Sequence, residues 1–255
     1  MQRKEQGGMR WLQFDLLCDV PHFFHAVFLR AGGVSEGAFA SLNLGYGIGD
    51  TPENVQHNLR LVEEVVNSHC AAKALLFWSK QCHGIDLTHV GPQSPQETAS
   101  SDALVTAHPY VSLMIKHADC QAAIILDPRN RVVANVHAGW RGSVQNIYAH
   151  VIHSMQKTYG SNPADLLVGI GPSLGPEAAE FVNFQTELPI HFWDYQIKPH
   201  YFDFWAISEM QLKELGVQPH HIEVMRLCTH SHKGDFFSYR RDKITGRHAT
   251  LAVLA

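Results

Sequence analysis

Two histidines and a cysteine can do chemistry together: His83 in SKQCHGIDL, Cys120 in HADCQAAIILDP and His137 in VHAGWRG. Each adjoins a short apolar run or a glycine, where a fold can expose a polar tip beside a buried sheet. Two imidazoles and a thiolate suit Zn²⁺, and a set of three leaves a fourth position open, as in catalytic rather than structural zinc sites. Water in that position has its pKa lowered to roughly 7, which makes hydroxide available at neutral pH. His₂Cys also suits copper, which outcompetes zinc in many sites. Without a metal, His137 can activate Cys120 as a nucleophile. The plain alternative for Cys120 is a small buried apolar residue. The separations of 37 and 17 residues between the three positions are not a local zinc-finger pattern, so all these readings stay open. Cys82, next to His83, is expected on the opposite face of a strand, in the core or behind the site.

Other residues point to a small polar substrate. Arg30 precedes the flexible Ala31-Gly32-Gly33 stretch, and Arg141 precedes Gly142 where a helix is expected to start; either can hold an anion such as phosphate. Surface ion pairing is the alternative for both. Phe236-Phe237-Ser238-Tyr239 followed by Arg240-Arg241 mixes aromatic rings with cations. Gly169-Ile170-Gly171-Pro172-Ser173 lacks the Lys-Ser/Thr ending of a phosphate loop and is not read as one. His230-Ser231-His232 is a single HxH pair, and a multicopper centre needs several, so a solvated loop is the expectation.

The elements that must position these residues follow from periodicity. A helix is expected from Pro52 to near Asn67, with Thr51 as its cap and Val55, Leu59, Val62 and Val66 as its apolar stripe. Val111–Lys116, Ala122–Leu126 and Val132–Val136 read as buried strands. The period then changes: Val144, Ile147, Tyr148, Val151, Ile152 and Met155 predict a helix behind a cap at Ser143. Leu166–Ile170, Ile222–Leu227 and Ala249–Leu254 are further strands, Phe204–Leu215 a helix, and Gly91–Ser101 a surface loop. The class is α/β or α+β with mixed sheets, in one domain over residues 1–255.

Composition bounds the rest. The chain has 255 residues, 45% of them hydrophobic and 17% charged, which suits a folded core. A net charge of −4 leaves no basic stripe for nucleic acid. The longest apolar run falls far short of the roughly 18 residues of a membrane helix, and no apolar segment follows the basic N-terminus as in a secretory signal. Five scattered cysteines without a CxxC suit reduced thiols and a cytoplasmic location, and 18 histidines raise the prior for metal chemistry.

HAVFLRAGGVSEGAFASLNLGYGIGD, QCHG, SDALVT, HADC, VHAGWRG, IGPSLG and CTHSHKGDFFSYRRDKITGR together resemble the laccase-like polyphenol oxidases, also described as multifunctional purine nucleoside enzymes. The resemblance runs from about His22 to Leu254, with departures at Leu29, Cys82, Ala122 and the segment after IGPSLG. It implies a four-layer α/β/β/α sandwich with a metal held by His83, Cys120 and His137. It also implies zinc-dependent phosphorolysis of adenosine, inosine and methylthioadenosine and deamination of adenosine. The alternatives are copper-dependent phenol oxidation and a metal-free Cys120/His137 hydrolase. Purine nucleosides and phosphate are the implied partners of a monomer or small homo-oligomer. Asp119 and His117 are then the acid/base candidates, and Arg30, Asn43, Arg141 and Arg240 the substrate-binding ones.

Overall fold

A computed structural model describes residues 1–255. In chain order the strands are β1 (Gln2–Gln6), β2 (Met9–Gln13), β3 (Phe23–Phe28), β4 (Leu75–Lys80), β5 (Leu87–His89), β6 (Glu97–Ser100), β7 (Ala103–Thr106), β8 (Val111–His117), β9 (Gln121–Asp127), β10 (Val132–Ala138), β11 (Leu167–Ile170), β12 (Gln196–Lys198), β13 (Tyr201–Phe202), β14 (Ile222–Val224) and β15 (His248–Leu254). The helices are α1 (Asp15–Cys18), α2 (Pro52–Ser68), α3 (Trp140–Val144), α4 (Ile147–Tyr159), α5 (Phe184–Glu187), α6 (Phe204–Glu214) and α7 (Tyr239–Asp242). One mixed sheet runs β1-β2-β3-β15-β8-β4-β6, a second runs β14-β11-β9-β10-β7-β5, and β12 and β13 form a small hairpin.

Strand alternation explains the layering. Along β15, Ala249, Leu251 and Val253 pack toward α2, whereas Ala252 and Leu254 pack inward. Along β10, Val132, Ala134 and Val136 pack beneath Ile147, Val151 and Met155 of α4, whereas Val133 turns inward. The inward residues of both sheets, among them Val27, Phe77 and Leu113 facing Leu104, Ile124 and Val133, form a shared apolar layer. Buried Asn135 ties the sheets together by donating to the carbonyls of Leu113 and Thr250 at 2.9 Å. The result is the expected α/β/β/α sandwich, with α2 on one outer face and α4 on the other.

Two features of this frame place the chemistry. β8 belongs to one sheet and β9 to the other, so Ala118–Cys120 crosses between sheets, and Asp119 takes a φ of 96° in doing so. His137 lies at the end of β10 in the same alternation class as Val133 and Asn135, so it faces the space between the sheets.

Several elements differ from expectation. The helix expected behind Ser143 is broken: α3 ends at Val144, and α4 starts after Asn146, whose side chain accepts from the Ala149 amide as the true cap. Ser143 Oγ instead donates to the Gly139 carbonyl at 3.2 Å. The expected Gly91–Ser101 loop contains β6, which pairs with β4 in parallel; its polar sequence suits a sheet edge. The strand expected over Ile222–Leu227 stops at Val224. β1, β2 and β3 were not anticipated, because β1 is polar and gains its ladder from β2. All five cysteines are free, and no helix is long and apolar enough to cross a membrane.

Candidate metal centre

The loop after β4, the crossing before β9 and the end of β10 converge. They bring one ligand atom each of His83, Cys120 and His137 within 4.8 Å of one another. His83 is exposed, Cys120 partly buried and His137 buried, so the cluster opens on one side.

Asp102, fully buried just before β7, organises all of this. Its Oδ1 pairs with His137 Nδ1 at 2.8 Å, leaving Nε2 to face the cluster. The same carboxylate accepts from three consecutive backbone amides, Cys82 at 3.2 Å, His83 at 2.9 Å and Gly84 at 2.7 Å. Consecutive N–H groups converging on an anion form a nest. This one holds His83 at a φ of 61°, a left-handed conformation that costs a side-chain-bearing residue about 1–2 kcal/mol. The Cys82 thiol donates to the same carboxylate at 3.0 Å. Cys82 is therefore exposed and outside any strand rather than in the core, although it does lie behind the site.

The electrostatics follow the geometry. Burial opposes a thiolate at Cys120, but the charge of His137 and hydrogen bonds from His137 and His83 outweigh it, and the thiol is pulled down to about 6. Burial likewise opposes protonation of His137, yet the Cys120 thiolate and Asp102 push it up to about 9. Asp102 is desolvated, and hydrogen bonds from His137, Cys82 and Gly84 still hold it well below the usual carboxylate range. A thiolate and an imidazole oriented by a carboxylate suit a borderline-soft divalent ion, whose binding would displace the Nε2 proton of His137. Gly139 completes the fit, because a β-carbon there would stand 2.9 Å from His83 Cδ2 and 3.5 Å from Cys120 Sγ. The residues present suit a bound metal.

The cluster lines a cavity of about 750 Å³, within the range of small-molecule sites. Lys80, Lys116, Arg141, Arg240 and Arg247 line it against only two acidic side chains, Glu97 and Asp119, so an anion is favoured. Tyr46, Trp140, Phe181, Phe204 and Tyr239 add aromatic surface.

The remaining expected residues divide. Arg141 lines the cavity, its guanidinium 4.7 Å from the Trp140 ring centre. Arg240 also lines it, with one nitrogen donating to the carbonyls of Ala178 and Glu180. Arg30 is not brought to the cavity: it donates to the carbonyls of Ala40 and Lys233 and stacks 4.5 Å over Phe237, bracing two loops. Asn43 is fully buried behind the wall, where its Oδ1 accepts from the Gly45 and Arg247 amides. Asp119 borders the cavity, but both its oxygens are engaged, one by the Thr229 hydroxyl at 2.6 Å and the other by the Arg240 amide at 2.5 Å. His117 is buried, bonded to Thr250 Oγ1 at 2.9 Å and packed against His248. His232 binds the Cys228 carbonyl in a turn and joins no ligand cluster. Sequence reasoning missed Asp102, Lys116 and Arg247. A lone acid before the apolar run ALVT was the one available signal for Asp102.

A family model described as multi-copper polyphenol oxidoreductase laccase matches residues 24–255. The chain belongs to this laccase family. Among its relatives, a purine nucleoside phosphorylase of Bacteroides thetaiotaomicron is 32% identical, covering 91% of each chain. The purine nucleoside phosphorylase YfiH of Escherichia coli is 31% identical over 88% of this chain and 91% of its own. The solved structure of YlmD from Geobacillus stearothermophilus, 28% identical, superimposes with a TM-score of 0.86 over 98% of this chain and 97% of its own. That of the Bacillus licheniformis hypothetical protein YfiH, 25% identical, gives 0.88 over 99% of both.

Proposed function

We propose that this member of the laccase family is a zinc-dependent purine nucleoside enzyme that phosphorolyses adenosine, inosine and methylthioadenosine and deaminates adenosine. The observation that carries the reading is the shared cavity, in which the His83/Cys120/His137 cluster stands among cationic side chains. Relatives named purine nucleoside phosphorylase support it across about nine-tenths of the chain. Zinc held by His83, Cys120 and His137 would supply a Lewis acid and lower the pKa of water.

The chain's own groups do the rest. Asp102 fixes His137 through Nδ1. Arg141, Arg240 and Arg247 hold phosphate against C1′ of the ribose, and the aromatic walls take up the apolar faces of the nucleoside. A phosphate oxygen bonds to C1′ as the C1′–N9 bond breaks, its electron pair leaving with the purine. Asp119, with both oxygens occupied, acts as a positioning residue that fixes Arg240.

Two further readings have support of their own. The Cys120–His137–Asp102 array, with its lowered thiol and raised imidazole, also suits a metal-free thiol hydrolase. The family description and the His₂Cys donor set suit copper and phenol oxidation. Metal analysis of protein purified without added metal, followed by chromatography of adenosine and inosine with and without phosphate, separates the three. About one zinc per chain with phosphate-dependent release of base supports the proposal. Stoichiometric copper without nucleoside turnover overturns it in favour of the oxidase. In His83→Ala, a metal enzyme loses zinc and at least about 100-fold in activity, whereas a thiol dyad keeps most of its activity.

A further inference from the structure

The cavity extends past the His83/Cys120/His137 cluster. Side chains alternate along β8, so Lys116 leaves the sheet on the face opposite to His117, beside Trp78 and Tyr46. Its backbone is clamped there by Gln81, whose Nε2 donates to the Lys116 carbonyl at 2.7 Å and whose Oε1 accepts from the Lys116 amide at 2.9 Å.

The ammonium has no such partner. Its Nζ lies 4.9 Å from the centre of the Trp78 ring and 5.8 Å from that of Tyr46, borders the cavity, and makes no hydrogen bond or ion pair. Glu97 of β6 borders the same arm and feels the ammonium only at a distance. One Glu97 oxygen accepts from Trp78 Nε1 at 3.2 Å, and the other is free. Burial pushes Lys116 down to about 8, so the ammonium persists at neutral pH but yields its proton more readily than an exposed lysine. An uncommitted donor, an uncommitted acceptor and an exposed aromatic face thus meet in one arm. The cavity's other carboxylate, Asp119, has both oxygens engaged, so the free acceptor lies at Glu97.

Resting on the phosphorylase reading, the geometry points to the Lys116 arm as the purine-base subsite. Tyr46 stacks on the base, Glu97 accepts from N1–H of a 6-oxopurine, and Lys116 donates a proton to N7 of the departing base. The step balances. A monohydrogen phosphate oxygen bonds to C1′, the C1′–N9 pair stays on the purine, and N7 takes the Lys116 proton. The proton released by the new phosphate monoester restores the ammonium.

The test compares inosine with 7-methylinosine, whose N7 is already alkylated and needs no proton. In Lys116→Met, kcat/KM for inosine phosphorolysis is expected to fall about 100-fold or more, and that for 7-methylinosine less than about 10-fold, at unchanged zinc content. Activity retained on 7-methylinosine also shows that the variant is folded. Equal losses on both substrates, or no loss on inosine, overturn the assignment. Glu97→Gln is expected to narrow the preference for inosine over adenosine in phosphorolysis about 10-fold, and an unchanged preference overturns the role of Glu97. If wild-type protein phosphorolyses neither substrate, the phosphorylase reading itself has failed, which is a different outcome from a wild type that works and a Lys116→Met variant that works equally well.

Discussion

Replacing Gly139 with alanine places a methyl carbon 2.9 Å from His83 Cδ2, closer than such contacts allow. The backbone at Gly139, with φ −74° and ψ 166°, accepts any residue, so strain falls on the ligand and not on the fold. Gly139→Ala is therefore expected to melt like wild type while binding zinc about 10-fold or more weakly in a chelator competition. Asp102→Asn removes the carboxylate that orients His137 and gathers the Cys82, His83 and Gly84 amides. A loss of 10- to 100-fold in zinc affinity, measured by the same competition, is expected from such a supporting residue. Asn43 and Arg30 show the limit of reasoning from residue type. Both have groups able to bind substrate, but those groups are taken up within this chain, by backbone groups at Arg30 and by two backbone amides and the Asp50 carboxylate at Asn43.

At the scale of elements, the break between α3 and α4 turns the chain after Val144. Asn146 makes the break possible, because it holds a left-handed φ of 55° while its side chain caps α4 through the Ala149 amide at 3.2 Å. Asn146→Ala loses the cap and meets the left-handed penalty, for about 2 kcal/mol in a urea melt. Asn146→Gly keeps the conformation free and is expected to cost less than about 1 kcal/mol. An alanine variant as stable as the glycine variant would show that the break is not held by this residue. Periodicity alone merged the two helices because Val144 continues the apolar spacing of α4 across the turn.

Across the whole molecule, buried neutral histidines set the acid limit. Burial pushes His25 and His248 down to about 3, and His117 also lies well below its ordinary value, chiefly through burial, with the neighbouring His248 and His137 acting in the same direction. The unfolded chain takes up protons at these sites below about pH 6.5 and the folded chain does not, so stability present above that pH is lost toward about pH 3. His25 and His248 alone predict a fall of about 3 kcal/mol between pH 7.5 and 5.5, readable from urea melts across that range, and His117 acts in the same direction. By itself the sequence determined the α/β class, α2 with its Thr51 cap, the central strands and the three residues that meet in the cavity, because local periodicity and residue chemistry record them. Only the tertiary structure decided that Asp102 joins His83 to His137, that β1 and β6 are strands, and that Lys116 and Arg247 rather than Arg30 face the cavity. Those facts depend on partners far apart in the chain, such as Asp102 and His137 at 35 residues. Local pattern carries no record of them until the sheets have packed.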